Sequence, residues 1–194
     1  TDVYGVPYLR CCATSAMREA KNGRKIIRRI YRKTGIQLEL IDGIEEARLV
    51  FESKMFDKIQ PTESNFMYID VGGGSTELTL WQDGNITASG SFKVGTVRLL
   101  NDLVQDAEWD RMKIWVKEIT AEVEDIAMIG SGGNINKTHK LSGKLPSEPL
   151  SLQYLNALSK RLKSLTPQQR VTELALNFDR ADVIVPALNV YNSV

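Results

Sequence analysis

Apolar residues recur along the chain at two spacings, one typical of strands and one typical of helices. In the first third, apolar runs at residues 6–14 and 37–41 predict two buried strands. Residues 16–34 between them predict one helix, because their apolar positions fall on a single helical face. Gly35 is placed to end that helix, and residues 44–54 predict another. The first third is therefore expected to be strand, helix, strand and helix.

The rest of the chain is expected to form strands first and helices later. Three successive strands are predicted at residues 66–71, 76–82 and 86–93, with a hairpin turn signal in "QDGN". The later expectations are a helical onset at 97–104, an amphipathic helix at 110–125, a strand in "IAMIGS" followed by a helix, and helices at 152–165, 167–176 and 181–191. Three sequential antiparallel strands followed by helix-linked strands is the order of a ribonuclease H-like core. We therefore expect an α/β fold of that kind.

The composition limits the classes of partner. The chain has 194 residues, 42% of them apolar, and a formal net charge of +1. This balance gives no general attraction to nucleic acid or to an anionic membrane, so any anion binding must be local. No segment approaches the roughly 18 continuous apolar residues of a membrane span, and we expect neither nucleic acid nor a membrane as partner. The adjacent Cys11 and Cys12 cannot form a normal disulfide with each other, which favours a reducing, cytoplasmic location.

One segment departs from this charge balance. Between Arg10 and Lys33 there are nine basic residues and one acidic residue, Glu19. Most of the basic residues lie opposite the apolar face of the predicted helix. Two interpretations stay open at this point: a solvated helix face, and a surface that guides a polyanion.

Two glycine segments are candidates for phosphate binding. In "DVGGGSTE", residues 70–77, three glycines lie between two predicted strands, and in "IGSGGNIN", residues 129–136, a glycine pair follows a strand and precedes a helix. A phosphate requires converging backbone N–H donors with no side chains in the way, and glycine permits both the dihedrals and the close approach. The first loop does not precede a helix, so it is neither a Walker A loop nor a dinucleotide fingerprint. A purely structural hairpin is the alternative for either segment alone, but two such segments in one chain favour phosphate.

Other chemistries lack their residues. His139 is the only histidine, and no cysteine cluster accompanies it, so neither a zinc site nor a Ser-His triad is expected. A sugar or acetate kinase would need a phosphoryl acceptor site, and the sequence offers no candidate for one.

Six segments in order resemble a known family. They are "ATSAMREAKN", "GIEEARLVF", "YIDVGGGSTEL", "VGTVRL", "GSGGNI" and "RADVIVPAL", and they extend from Ala13 to Leu188. Together they resemble the exopolyphosphatase/guanosine pentaphosphate phosphohydrolase (Ppx/GppA) family. The resemblance implies the actin/acetate-kinase superfamily, in which two ribonuclease H-like domains close on a cleft that holds phosphates. It implies that residues 1–60 are the C-terminal part of a first domain and residues 61–194 a second domain whose last strand is missing.

The resemblance also implies roles for single residues. Glu46 matches the general base that activates the attacking water, with Glu45 as a weaker candidate, and Arg18 matches an arginine that clamps phosphoryl oxygens. Asp70 and Glu77 match carboxylates associated with Mg²⁺ and water. The matches to the phosphate-binding loops are Gly72, Gly73, Gly74, Ser75, Thr76, Gly132 and Gly133. Asn134 departs from the family, which usually has a threonine there, so a hydroxyl contact is replaced by an amide.

The implied activity is hydrolysis of a terminal phosphoanhydride bond, with polyphosphate or guanosine pentaphosphate as the partner molecule. A non-catalytic polyphosphate or alarmone sensor of the same fold is the alternative function. The family's first phosphate loop has no counterpart in residues 1–10, so we expect a fragment trimmed at both ends that has little activity alone. A homodimer is compatible with the sequence, which does not determine the oligomeric state.

Overall fold

The computed structural model describes residues 5–52 and 65–194 of the chain. Close packing divides the chain into two compact units, Thr1–Met55 and Phe56–Val194. The domain boundary predicted between residues 60 and 61 lies outside the described residues and stays a prediction.

The first unit is a strand–helix–strand–helix arrangement. Its elements are β1 (Cys11–Ala13), α1 (Ser15–Glu19), α2 (Gly23–Thr34), β2 (Leu38–Leu40) and α3 (Gly43–Glu52). The two strands are parallel, with Cys11 opposite Leu38 and Ala13 opposite Leu40. Parallel strands need a crossover connection, and α1 and α2 supply it.

The single helix predicted at residues 16–34 is wrong, because the structure has two helices there. After α1 the backbone of Ala20 becomes extended, with φ −65° and ψ 122°. A Cβ on Gly23 would overlap the carbonyl oxygen of Met17, so only glycine lets the start of α2 approach α1 this closely. The predicted end of the helix is confirmed, since Gly35 has a left-handed φ of 71°.

The second unit is built on a four-stranded sheet in the order β5-β4-β3-β6. Its strands are β3 (Asn65–Val71), β4 (Thr76–Gln82), β5 (Asn85–Phe92) and β6 (Ile126–Ser131). The first three form an antiparallel meander, and β6 lies parallel to β3. Asp83 and Gly84 both have positive φ, 50° and 79°, as a two-residue hairpin turn requires. The predicted ribonuclease H-like order is confirmed.

Within residues 65–194, six helices accompany this sheet. They are α4 (Thr96–Leu100), α5 (Asp106–Thr120), α6 (Gly133–Leu141), α7 (Leu152–Ser164), α8 (Pro167–Leu174) and α9 (Phe178–Tyr191). The helix predicted at 110–125 begins earlier, at Asp106, and ends earlier, at Thr120. At the start of α8, Thr166 and Gln169 form a reciprocal capping box. Within the described ranges no helix is long and apolar enough to cross a membrane.

Two apolar clusters stabilise the second unit, and α9 contributes to both. The larger joins one face of the sheet to α5 and α9 through fully buried residues such as Met67, Leu78, Met112 and Val190. The smaller lies among the later helices and consists of Leu158, Leu162, Leu176, Ala181, Ile184 and Leu188. Because α9 is shared, its C-terminal end is held against the sheet.

Ile184 is a test of this shared packing. Its side chain on α9 is 0% exposed, so Ile184→Ala leaves a cavity and should lower the free energy of unfolding by about 2–5 kcal/mol. Ile114→Ala is the matched control, because Ile114 on α5 is 56% exposed and should cost little. Urea denaturation of both variants measures the difference. Equal losses would show that α9 is not a packing centre.

Candidate phosphate-binding site

The two predicted glycine segments meet at one edge of the sheet. Strands β3 and β6 are parallel neighbours, so their carboxyl ends lie at the same edge, with Asp70 opposite Ser131. Beyond these residues lie Gly72 in one segment and Gly132 in the other. A Cβ placed on Gly132 would stand 3.5 Å from Asp70 Oδ1. The structure therefore brings together residues about sixty positions apart in the sequence.

The carbonyl groups of the glycine triplet are turned toward α4. Each of the three accepts hydrogen bonds from the first turn of that helix. The shortest ones are Thr96 N–H to Gly72 O at 2.9 Å, Val97 N–H to Gly73 O at 2.9 Å, and Arg98 Nε to Gly74 O at 2.6 Å. The first amides of a helix have no partner inside the helix, so α4 is a natural donor to these carbonyls. The loop is therefore held in place through its backbone carbonyl oxygens, which accept hydrogen bonds from α4.

The amide groups of the same loop are left for another acceptor. Among residues 5–52 and 65–194, the N–H groups of Gly73, Gly74 and Ser75 donate to no protein atom. Successive backbone N–H groups with their carbonyls tied back form an anion-binding concavity. This geometry, rather than the glycine count, marks the loop as a candidate phosphate cradle.

Gly95 is what lets α4 reach the loop. A Cβ at this position would overlap the backbone of Gly73 and Gly74. Its φ of −125° is ordinary for any residue, so glycine is required for space and not for conformation.

The two predicted metal-binding carboxylates are cross-strand partners. Asp70 on β3 lies opposite Glu77 on β4, and directly opposite residues point to the same face of a sheet. Burial raises the pKa of the Asp70 carboxyl above its ordinary 3.8. Glu77 is 5% exposed, and its Oε1 accepts hydrogen bonds from Ser75 Oγ at 2.7 Å and Ser91 Oγ at 3.0 Å.

This pair fits a magnesium ion better than a transition metal. In the part of the chain that is described, no group of three or more His, Cys, Asp or Glu side chains could enclose a metal. Mg²⁺ does not need such a cage, since it commonly binds through one or two carboxylates together with waters and substrate phosphates. Asp70 is a partly buried carboxyl whose charged form is disfavoured by that burial, and a cation would offset the cost.

The hydroxyl groups of the loop have internal partners. Ser75 donates to Glu77, and Thr76, which is fully buried, donates to the carbonyl oxygen of Val94. The Thr76 side chain thus anchors the loop from the core side, and the backbone amides are the groups left facing an anion.

The second glycine segment contains an arginine that sequence reasoning missed. Gly132 has a φ of 101°, which favours glycine, and precedes the first turn of α6. A Cβ on Gly133 would overlap the guanidinium of Arg180, which donates from Nη1 to Asn134 Oδ1 at 3.3 Å. Asn134, the departure from the family pattern, therefore holds Arg180 over the glycines. Arg180 lies in "RADVIVPAL", but no spacing in the sequence indicates this contact.

Tyr191 is a second residue that the sequence did not indicate. Its hydroxyl on α9 donates to the carbonyl oxygen of Ser131 at 2.6 Å, at the end of β6. Burial, followed by the negative charge of Asp70, raises the pKa of Tyr191 well above its ordinary range. Tyr191 therefore remains a neutral donor that supports the end of the strand.

The first unit brings the other two predicted residues together. Arg18 Nη1 lies 3.6 Å from Glu46 Oε2 and also donates to the carbonyl oxygen of Ile41. Both side chains are mostly covered, with 25% and 22% of their surface exposed. The predicted base and the predicted clamp thus form one ion pair between α1 and α3.

Glu45, the weaker candidate for the base, is already engaged. Its carboxylate accepts from Arg48 Nε at 2.8 Å and from Arg10 Nη1 at 3.0 Å. These two guanidinium groups, Arg48 first, lower the pKa of Glu45 to about 2. A carboxylate held this way has little tendency to take a proton from water, so its contacts do not suit Glu45 to the role of base.

Replacing Gly95 tests the geometry of the loop. Gly95→Ala should push the glycine backbone out of place at a cost of about 1–3 kcal/mol, and tripolyphosphate affinity should fall about tenfold or more. Calorimetric titration measures the affinity, and thermal unfolding measures the stability.

Gly84→Ala is the matched control. Gly84 has a φ of 79° but no atom within 4 Å of its missing Cβ, so this variant loses stability without touching the loop. Equal affinity losses in the two variants would mean that the effect comes from stability and that the loop geometry is irrelevant.

The chain is similar in sequence to known phosphatases and exopolyphosphatases. The chain is 30% identical over 190 residues to a bifunctional 3-dehydroquinate synthase/phosphatase of Fusobacterium nucleatum, covering 82% of the chain and 29% of that protein. It is 26% identical to exopolyphosphatase 1 of Mycobacterium leprae, covering 93% of the chain and 59% of that protein. The chain therefore spans less than two thirds of either relative.

A solved structure shares the fold across nearly the whole chain. An exopolyphosphatase from Cytophaga hutchinsonii superimposes with a TM-score of 0.79 at 22% identity, over 99% of this chain and 68% of that one. The model of the Ppx/GppA phosphatase family matches residues 1–194. The chain belongs to the Ppx/GppA phosphatase family.

Proposed function

We propose that the protein hydrolyses the terminal phosphoanhydride bond of inorganic polyphosphate, of guanosine pentaphosphate, or of both. The observation that carries this proposal is the row of amides in the glycine loop, Gly73 to Ser75, close to the partly buried carboxyl of Asp70. Phosphoryl transfer needs charge stabilisation on the phosphoryl oxygens and an aligned nucleophile, and very little covalent chemistry from the protein. Backbone donors, arginines and carboxylates are the groups that this requires.

The glycine loop would bind phosphoryl oxygens through its backbone. The amides of Gly73, Gly74 and Ser75 are fixed donors, because the carbonyls of the same peptide units, those of Gly72, Gly73 and Gly74, are held by α4 and its Arg98 side chain. Fixed donors need no reorganisation when charge develops on the phosphoryl group, so they stabilise the transition state more than mobile donors would.

Glu46 is the proposed general base. It would take a proton from a water molecule while the water oxygen attacks the terminal phosphorus and the bond to the bridging oxygen breaks. Arg18 holds the Glu46 carboxylate at 3.6 Å and has further N–H groups that can donate to phosphoryl oxygens. Family membership supports both roles, since the two residues match its motifs.

Asp70 and Glu77 would hold the magnesium ion. When bound, the ion would neutralise charge on the phosphate oxygens. The remaining contribution of these residues is structural: Glu77 is held by two serine hydroxyls, which keeps its carboxylate oriented toward the same sheet face as Asp70.

Glu46→Gln tests the base in the full-length protein. The amide keeps the size of the side chain but cannot accept the proton, and removing a general base typically costs about 10²–10⁴ in rate. We expect phosphate release to fall by that factor, with substrate binding retained. Glu45→Gln is the matched neighbour and should lower the rate far less. Unchanged turnover in Glu46→Gln would favour another base or a non-catalytic sensor.

Asp70→Asn tests the magnesium site without an activity assay. Since burial raises the folded pKa of Asp70, its ionisation destabilises the fold as pH rises from 3.8 through that raised value. Asp70→Asn should therefore be more stable than the wild type at neutral pH without metal. Mg²⁺ should raise the Tm of the wild type only. An equal Mg²⁺-induced shift in the variant would remove Asp70 from the site.

A further inference from the structure

Helix α2 carries an unusual concentration of positive charge. Six of its twelve residues are basic, none is acidic, and Lys21 precedes it. The basic residues of the helix are Arg24, Lys25, Arg28, Arg29, Arg32 and Lys33, all of them exposed. The chain as a whole has a net charge of only +1, so this helix is a local exception.

The spacing of these charges works against the helix. Four pairs four residues apart are like-charged: Arg24 with Arg28, Lys25 with Arg29, Arg28 with Arg32, and Arg29 with Lys33. Residues at this spacing are neighbours on a helix surface, and like charges there destabilise it. Glutamates at some of these positions would have stabilised the helix. A solvated face does not explain why none occurs.

The described residues also provide no ion-pair or side-chain hydrogen-bond partner for the cations of α2. In the described residues, none of the six forms an ion pair or a side-chain hydrogen bond. Some arginines elsewhere are paired with carboxylates: Arg10 with Glu39 and Glu45, and Arg111 with Glu108. Within the described part of the first unit, the positive charge of α2 is therefore not neutralised by other side chains.

The apolar side of the helix fixes which way the cations face. At about 100° per residue, all the basic residues fall within about half of the helix circumference, while Ile26, Ile27 and Ile30 lie on the other half and are partly buried. The apolar half is turned into the protein, so the cationic half faces outward as one row. From Arg24 to Lys33 the row is about 14 Å long, at 1.5 Å per residue.

This row begins next to the proposed catalytic pair. Arg18 is on α1, three residues before Lys21, and Gly23 at the start of α2 packs directly on the carbonyl of Met17. A chain of phosphates whose terminal group is at Arg18 and Glu46 could therefore continue along α2 within the same unit.

We propose that the cationic face of α2 binds the trailing part of a long polyphosphate chain. This proposal rests on the proposed function and adds a preference for long chains over short ones. Polyphosphate suits the row because it is an extended polyanion with no other recognition features. RNA is less suitable, since Tyr31 is the single aromatic residue of the helix, and one ring does not provide a stacking platform for successive bases. A membrane would require an outward apolar half, whereas the three isoleucines are partly buried.

Fluorescence anisotropy tests this face. It measures the binding of labelled long-chain polyphosphate to the protein over a range of salt concentrations. The variant is Arg24→Ala/Arg28→Ala/Arg32→Ala. We expect its affinity for long chains to fall about tenfold and the slope of log K against log[salt] to decrease by about 2, for three lost phosphate contacts. Tripolyphosphate, which is too short to follow the helix, should bind the variant and the wild type equally.

The matched control removes the same charge from another surface. Lys113→Ala/Lys160→Ala/Lys163→Ala takes three exposed cations from α5 and α7 and should change long-chain affinity less than twofold. The Tm of the α2 variant should not fall, because like-charge repulsion is relieved. Equal losses in both variants, or no binding of long chains by the wild type, would overturn the proposal.

Two further arms identify the ligand. Single-stranded RNA or anionic vesicles that bind with the affinity and the α2 dependence of polyphosphate would overturn the assignment to polyphosphate. The proposed function fails independently: unchanged hydrolysis in Glu46→Gln together with α2-dependent binding would contradict the catalytic role and leave the binding face standing.

Discussion

The hydrogen bonds between α4 and the glycine triplet are the constraint on which the site depends. A peptide unit has its N–H and its C=O on opposite sides, so fixing the carbonyls of Gly72 to Gly74 also fixes the direction of the neighbouring amides. The first turn of α4 has unpaired donors and supplies these bonds without weakening the helix. The glycine at position 95 lets the two backbones approach. Without the carbonyl hydrogen bonds, the donors of α4 or the glycine at position 95, the loop would be a glycine hairpin whose amides have no preferred direction toward an anion.

The second glycine segment, residues 129–136, leaves backbone amides available to an anion in a different way. Its amides belong to the first turn of α6, where they are free by the nature of a helix terminus. Arg180 lies over Gly133 and is held by Asn134, so an amide side chain here orients a cation instead of contacting phosphate itself. The replacement of the family's threonine by Asn134 is thus compatible with an anion site in which the arginine carries the contact.

The sequence predicted the features that depend on local pattern and missed those that depend on tertiary approach. Short apolar runs and the turn residues of "QDGN" were sufficient for the meander and its hairpin turn, because β3 and β4 are buried along nearly their whole length. The break between α1 and α2 was not predictable, since it depends on how closely Gly23 meets Met17. Arg180 and Tyr191 contact residues 46 and 60 positions away, and no spacing rule reaches that far. The family motif already favoured Glu46 over the adjacent Glu45, but the pairing of Glu45 with Arg10 and Arg48 could not be read from the sequence.

The use of arginine separates two kinds of positive charge in the first unit. Arg10 and Arg48 are paired with glutamates and stabilise the start of α3, which in turn places Glu46 beside Arg18. The cations of α2 have no such partners and repel each other along the helix. A bound polyanion would attract these cations and offset their mutual repulsion, so polyanion binding and the folding of α2 would be coupled. Helix α2 would then be most stable when a long polyanion is bound, and the repulsion between its cations would destabilise it only in the free protein.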